Sequence, residues 1–432
     1  MIQSYKILTF GCQMNLADSG LLGSIMESRG YRPARSESEA DLVILNTCSV
    51  RQKAETRVFG RLAELSALKR SERPPLIAVI GCMAQRLGER ILEAAPAVDI
   101  ILGTDRIFDL PDYLERERTS PIIDVAFGGE MPIEAIPART SRWSAFVTIS
   151  RGCDNYCSYC VVPYLRGPER SYPARIISRQ VSALVADGAL EVTLLGQNVN
   201  SYRDGDLDFP GLLKAIARET DIRRIRFMTS HPKDLSEGLI DVLATEPKMM
   251  THVHLPLQSG SDRILGKMGR GYTFESYFSL IEKMRRAVPE VSITTDLIVG
   301  FPSETDEEYE MTLAAVRRIK YDSAFMFRYS VREGTAAARM ADDVPEEVKI
   351  DRLNRLIALQ KEIAHQVNRR AIGRICSVLI DGFARRGRDR LRGKTEGNKT
   401  ILFPAERSVI GSIRRVKILE ADSWTLFGEL VA

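Results

Sequence analysis

Hydrophobic and polar positions recur along this chain with two periods, and the changes of period mark out three regions. In the first, short apolar runs at Tyr5–Phe10, Leu42–Leu45, Leu76–Ile80 and Val98–Leu102 are separated by stretches with helical spacing, such as Ser19–Arg29 and Lys53–Lys69. That alternation predicts a parallel sheet covered by helices. A stretch with Gly128, Gly129, Pro132 and Pro137 suits neither element and reads as a linker. Six strand candidates follow, at Phe146–Ile149, Glu191–Leu195, Arg224–Met228, His252–Leu255, Ser292–Ile298 and Ser323–Phe327. Helical segments such as Ile176–Asp187 and Glu307–Ile319 lie between them. Six β/α units, rather than eight, predict a barrel open on one side with its site at the carboxyl ends of the strands. A long charged helix, about Glu346–Arg370, closes this region. From about Ala371 the pattern changes again. Strand-like pieces at Cys376–Ile380, Thr400–Phe403, Arg414–Leu419 and Thr425–Leu430 alternate with glycine-containing turns, as in a small antiparallel β-barrel. The expected α/β architecture is therefore a parallel sheet domain over residues 1–125, a partial (β/α)6 barrel over 140–370 and a small β-barrel over 371–432.

Composition changes this picture little. A length of 432 residues accommodates three domains, and 44% hydrophobic with 27% charged residues is ordinary for a soluble globular chain. No apolar run reaches the roughly 18 residues of a membrane-spanning helix. The opening Met1–Lys6 lacks the charged start and apolar stretch of a secretory signal, so a cytoplasmic location is expected. The net charge of +4 permits nucleic-acid binding without demanding it. Its distribution says more. From Ala371 onward twelve Lys or Arg face seven Asp or Glu, and Arg385, Arg386, Arg388, Arg390 and Arg392 crowd into eight residues, with Lys394 and Lys399 after them. Such a strip is either a solvated face or a phosphate-binding patch.

The chemistry lies in the seven cysteines. An odd number in a chain with no secretory signal argues against a disulfide framework. Cys376, in the apolar stretch Ile375–Ile380, reads as a small buried hydrophobe. Cys153, Cys157 and Cys160 form C-x3-C-x2-C directly after the first barrel strand. Three thiolates on a short loop can hold one iron–sulfur cluster and leave one iron open, whereas structural zinc would want a fourth ligand. This spacing is the signature of the radical S-adenosylmethionine (SAM) superfamily, in which SAM chelates the open iron. Cys12, Cys48 and Cys82 are too scattered to form a local motif, but each lies just past the end of a strand. Open α/β sheets collect their ligands at that edge, so the three could converge.

Gly11-Cys12-Gln13-Met14-Asn15, Asn46-Thr47-Cys48, Gly81-Cys82-Met83 and the stretch from Val161 to Ser171 resemble the methylthiotransferase family. So do Leu194 to Tyr202 and Thr229-Ser230-His231-Pro232. The likeness runs over essentially the whole chain, and its last segment is similar to a TRAM domain, a small RNA-binding barrel. Gly196-Gln197-Asn198-Val199-Asn200 is most similar to the tRNA branch of MiaB type, which acts on isopentenylated adenosine. The resemblance implies two [4Fe–4S] clusters, one on Cys12, Cys48 and Cys82 and one, with exchangeable SAM, on Cys153, Cys157 and Cys160. It implies reductive cleavage of SAM to a radical that activates the adenosine, sulfur from the N-terminal cluster and a methyl group from a second SAM. The product would carry a methylthio group at C2 of N(6)-(dimethylallyl)adenosine at tRNA position 37. The implied partners are tRNA, a reductant of flavodoxin or ferredoxin type, and iron–sulfur assembly proteins, with no membrane. SAM contacts are expected at Gly196, Gln197, Gln258, Ser259 and Phe327, and RNA contacts at Arg166, Arg170, Arg385, Arg386 and Arg388. Tyr172 departs from the family, which often has Arg after Ser171. The alternatives are a methylthiotransferase acting on threonylcarbamoyl-adenosine or on a ribosomal protein aspartate, and a non-catalytic iron–sulfur tRNA-binding protein.

Two patterns are set aside. Gly128-Gly129-Glu130 spells a radical SAM tripeptide but precedes the cysteine loop; Leu195-Gly196-Gln197 stands where it belongs. His252 and His254 could face one way on a strand like a metal pair, but no acid or third histidine nearby in sequence completes a site.

Overall fold

The structure, a computed structural model, describes residues 2–49, 52–70, 73–129, 131–132, 135–138, 141–384 and 390–431. Its first region is a six-stranded sheet in which every neighbouring pair is parallel. The spatial order is Arg32–Pro33, Ser4–Thr9, Leu42–Thr47, Leu76–Gly81, Ile100–Leu102 and Ile122–Asp124. Leu42, Ile44, Ala78 and Ile80 enter the core on one face, while Val43, Leu45, Ile77 and Val79 enter the core on the other. Burial on both faces is why these strands read as unbroken apolar runs. The two edge strands were not expected from the sequence. One is two residues long and exposed, the other three residues long and half-buried, too short to leave a periodic trace.

The first helix runs Gln13–Ser28, starting six residues before the expected Ser19. Asn15 and Asp18 lie on its buried face, so the apolar period fails there although the helix does not. The second, Gln52–Leu68, is close to expectation.

The middle region has the six expected strands, in two parallel groups of three: Ser144–Thr148, Glu191–Leu195 and Arg224–Phe227, then His252–His254, Ser292–Val299 and Ser323–Arg328. A parallel bridge between Ile225 and Met249, three residues before His252, brings the second group alongside the first in an open barrel. The helices Ala174–Ala186, Phe209–Glu219, Phe274–Ala287 and Asp306–Ile319 cover its outside, and Glu346–Arg369 packs Leu356 and Ile363 into the same core. The stretch read as a linker is tied down: Gly128 donates its N–H to Asp105 Oδ2 at 3.0 Å and the Ala135 carbonyl accepts from Gln180.

The last region is a closed five-stranded barrel in the order Ile375–Phe383, Leu391–Thr395, Thr400–Phe403, Thr425–Leu430 and Ile413–Ala421. One of its pairs, Thr400–Phe403 with Thr425–Leu430, is parallel, so the barrel is not antiparallel throughout. Leu391–Thr395, inside the basic run, is a strand that its Leu-Arg-Gly-Lys-Thr pattern conceals. Cys376 packs against the core of this barrel but is half-buried, not buried as its apolar surroundings in sequence suggested.

This barrel covers the amino ends of the middle strands. Arg224, the first residue of its strand, donates to the carbonyls of Ser377 (2.8 Å) and Lys394 (2.9 Å), and Arg226 to those of Thr395 (2.6 Å) and Glu396 (2.8 Å). Glu191 holds Arg226 at 2.9 Å. Lys399 pairs with Asp322 at 2.6 Å, just before the last middle strand.

Candidate active site

Cys12, Cys48 and Cys82 converge at the carboxyl edge of the first sheet. Cys12 caps the first helix, Cys48 follows Leu42–Thr47, and Cys82 opens the helix Cys82–Leu87. Two asparagines lace the loops together. Asn15 Oδ1 accepts from the Cys12 N–H (3.3 Å) and thiol (3.3 Å), while its Nδ2 donates to Asn46 Oδ1 (2.9 Å) and the Thr47 carbonyl (3.0 Å). Asn46 Nδ2 donates to the Asn15 carbonyl (2.9 Å), and Thr47 Oγ1 to the Ile80 carbonyl (2.7 Å). Two glycines let the loops close. Gly11 has φ +143 and a Cβ there would come within 2.6 Å of Cys48 Cβ; Gly81 has φ +94 and its Cβ would meet the Thr47 carbonyl at 2.7 Å. A hydrogen bond from the Cys48 thiol brings the Cys12 pKa down to about 6, whereas burial pushes Cys82 up.

The second trio lies on the loop after Ser144–Thr148. The short ladder of Ser150–Arg151 with Arg170–Ser171 pinches the base of this loop. Gln197 Oε1 accepts from the Gly152 N–H at 2.6 Å, and the Ser158 N–H donates to the Met268 carbonyl at 2.9 Å. Tyr159 packs against the small core that contains Phe301 and Tyr329. Asn155 donates to Cys153 Sγ and Arg270 to Cys157 Sγ, each at 3.4 Å. Arg270 is buried and was not singled out from the sequence; an arginine reveals such a role only through its partner, here more than a hundred residues away. Burial raises the Cys153 pKa and pushes Cys160 up to about 12, so a bound cation would be needed to hold these thiolates.

Side chains from both regions meet between the trios. Asp18, buried, accepts from Arg151 at 2.7 Å and from Arg166 at 3.1 Å. Thr104 Oγ1 donates to the Leu165 carbonyl at 2.5 Å, and Arg170 pairs with Asp105 at 2.6 Å. Arg166 and Arg170, expected among RNA contacts, are thus engaged at this junction; Arg166 is only 3% exposed. Arg385, Arg386 and Arg388 lie outside the described residues. Tyr172, the departure from the family pattern, is a core residue 1% exposed. A cavity of about 420 Å³, lined by Glu55, Arg86, Val161, Val331, Arg332 and Glu333, opens between the two regions. Arg86 on its wall also donates to Ser49, beside Cys48, at 3.0 Å.

Among the described residues, no three His, Cys, Asp or Glu side chains close on a point that would suit a single metal ion. The cysteine trios need not do so, because a cubane gives each thiolate its own iron. Gln258 has a left-handed backbone (φ +74), and its buried Oε1 has no hydrogen-bond partner. Gly196 leaves room beside Ser150, whose buried Oγ is also unpartnered. Ser259 is engaged within the fold, accepting from the Ser261 N–H at 3.2 Å, and Phe327 is half-buried on the last middle strand. His252 and His254 both bond Thr294 Oγ1 at 3.0 Å, and burial lowers the His252 pKa far below its usual value.

Three family descriptions match the chain: "Uncharacterized protein family UPF0004" over residues 4–103, "Radical SAM superfamily" over 147–316 and "TRAM domain" over 369–431. Two relatives carry the name tRNA-2-methylthio-N(6)-dimethylallyladenosine synthase. That of Moorella thermoacetica is 44% identical over 99% of this chain and 98% of its own length, and that of Carboxydothermus hydrogenoformans is 46% identical over 99% of both. The chain belongs to this synthase family of radical SAM methylthiotransferases. A radical SAM domain brings with it a [4Fe–4S] cluster and SAM. Among solved structures, the cobalamin-dependent SAM radical enzyme OxsB matches with a TM-score of 0.55 at 13% identity, covering 83% of this chain and 56% of its own. The radical SAM methyltransferase TsrM of Kitasatospora setae matches with a TM-score of 0.54 at 14% identity, covering 76% and 75%. At these identities the likeness is one of fold. No helix among the described residues is long and apolar enough to cross a membrane.

Proposed function

We propose that this chain adds a methylthio group to C2 of N(6)-(dimethylallyl)adenosine at position 37 of tRNA, with SAM and two [4Fe–4S] clusters. Residues 1–125 would hold the sulfur-donating cluster on Cys12, Cys48 and Cys82. Residues 140–370 would hold the SAM-binding cluster on Cys153, Cys157 and Cys160, and 371–432 would grip RNA. The observation that carries this reading is the joining of the two cysteine-bearing regions at Asp18: one carboxylate on the first helix bonds Arg151, at the root of the barrel loop, and Arg166, on the helix that follows that loop. Sequential radical and sulfur chemistry on one base needs both centres within reach of it.

The bound groups supply the electron, radical, sulfur and methyl chemistry. The chain's own residues hold and shield them. Gln197 and Arg270 position the barrel loop, and Asn15 and Asn46 position the N-terminal one. Gln258 Oε1 and Ser150 Oγ are among the buried atoms that lack partners, and they suit a polar ligand. Gly196 provides close approach beside Ser150, with Ser259 and Phe327 bordering the same strand ends. The cavity between the regions is in the size range of small-ligand sites and suits the target base. A flavodoxin or ferredoxin would deliver electrons, assembly proteins would load the clusters, and the enzyme would meet its tRNA in the cytoplasm.

The test is to incubate the anaerobically reconstituted protein with SAM, a reductant and tRNA carrying dimethylallyl-adenosine, then digest the RNA for mass spectrometry. The expected product is the 2-methylthio nucleoside. In parallel incubations with threonylcarbamoyl-adenosine tRNA and with ribosomal protein, thiolation confined to either would replace this reading with one of its alternatives.

A further inference from the structure

Asp18, Arg151 and Arg166 are all at most 3% exposed, and they carry two positive charges against one negative. Arg151 completes its bonding with Asp18 Oδ1 at 2.7 Å and the Thr104 carbonyl at 3.1 Å. Arg166 does not. Its Nη2 reaches Asp18 Oδ2 at 3.1 Å, its buried Nη1 makes no well-directed hydrogen bond, and the guanidinium lies within bonding reach of the Cys82 thiol. A buried cation left without a counter-charge is strongly unfavourable. Besides Asp18, the groups nearest this guanidinium are the sulfurs of Cys82 and Cys12, which would bear negative charge only as thiolates on a bound cluster. Cys82 and Leu165, the residue before Arg166, share one small apolar contact group with Val161.

We infer that Arg166 is a positioning residue whose unpaired Nη1 supplies the counter-charge for the cluster on Cys12, Cys48 and Cys82 and holds that cluster's reduction potential up. The inference rests on the proposal that this trio binds a cubane. The charges match. An oxidised cubane core carries two positive charges, so three thiolates leave it with one net negative charge, the complement of the surplus beside it. Reduction adds a second negative charge, which a fixed cation a few ångströms away stabilises further in a low-dielectric site. Arg166 sits on the helix Val162–Arg166, immediately after the loop that carries Cys153, Cys157 and Cys160. The counter-charge of one cluster is thus delivered by the segment that carries the other. An arginine acting only as a tie between regions would satisfy Asp18 and would not need to lie beside Cys82 with a buried Nη1 left over.

The experiment uses the full-length chain with Cys153, Cys157 and Cys160 replaced by Ala, so that only the N-terminal cluster gives a signal. Its paramagnetic signal is followed against applied potential for Arg166, Arg166→Lys and Arg166→Met. Removing Arg166 leaves Arg151 and Asp18 as a neutral pair, so Arg166→Met is expected to keep its melting temperature and its iron. The expected result is a midpoint displaced to more negative potential in Arg166→Met and largely restored in Arg166→Lys. Loss of the cluster from Arg166→Met alone, with unchanged melting, supports the same role. An unchanged midpoint in Arg166→Met overturns the inference. So does equal loss of iron and of melting temperature in both variants, which would make Arg166 only a tie between regions. If the parent chain holds no cluster on its N-terminal trio, the proposed second cluster fails first.

Discussion

Asn15 and Asn46 are fully buried, yet their amides exchange hydrogen bonds that fix the Cys12 and Cys48 loops against each other. This lacing holds the N-terminal trio in place, so the proposed chemistry of the two trios can be separated by mutation. The reconstituted protein should bind about eight irons, as two cubanes require. Replacing Cys153, Cys157 and Cys160 with Ala should halve the iron and abolish 5′-deoxyadenosine formation. Replacing Cys12, Cys48 and Cys82 should also halve the iron but leave 5′-deoxyadenosine detectable and stop thiolation; methylthio product from that triple variant would remove the sulfur-donor role. The convergence of Cys12, Cys48 and Cys82 was legible because each lies past a strand end of one sheet. Arg166 and Arg270 were not, because an arginine in a sequence does not show whether it meets phosphate, carboxylate or thiolate. Arg166 had been read toward RNA, and the structure buries it against Asp18.

Elements were legible where one period dominates. Glu191–Leu195, Thr400–Phe403 and Thr425–Leu430 begin and end where their apolar runs do. The pattern failed where a functional polar residue occupies a buried position, as at the start of the first helix. The helix Asp306–Ile319 shows what the local signals are worth. Thr305 and Glu308 form its capping box, and Glu308 also accepts from Ser261 Oγ (2.9 Å) and Arg263 (2.5 Å). Burial would raise the Glu308 pKa, but these bonds together bring it down to about 2. A carboxylate whose pKa falls on folding stabilises the fold above its unfolded value of about 4.5 and loses that contribution as pH drops toward 2. Glu308→Gln should therefore cost about 2 kcal/mol at neutral pH. In denaturant titrations the gap to wild type should narrow below about pH 4.5. A gap independent of pH would mean that the side chain acts by packing alone.

At the scale of the whole molecule, the three regions are joined by buried polar ties rather than by a free tether. Arg224 is 1% exposed and both its Nη atoms are spent on the C-terminal barrel. Arg224→Met should strand the Ser377 and Lys394 carbonyls and loosen that barrel. Limited proteolysis should then release a C-terminal fragment faster than in wild type, while SAM cleavage without RNA stays unchanged; equal proteolysis rates would show that the other ties suffice. The three-part division was visible as changes of period, but the way the parts sit together was not, since Arg224 and Ser377 are more than 150 residues apart and neither motif nor spacing relates them.

Because Arg224 and Arg226 fasten the small barrel to the starts of the middle strands, it faces away from the cysteine loops, which lie past their far ends. The eight-residue strand Ser292–Val299 sets that separation at about 25 Å. The enzyme is then a caliper with fixed jaws. If the small barrel grips RNA, as proposed, the molecule it holds must bend around the outside of the middle region to offer a base at the other jaw, and shape and length would enter recognition before any base is read. A short oligonucleotide bearing only the target adenosine and its neighbours would then touch one jaw and gain nothing from the other, whereas a folded stem and loop would span both.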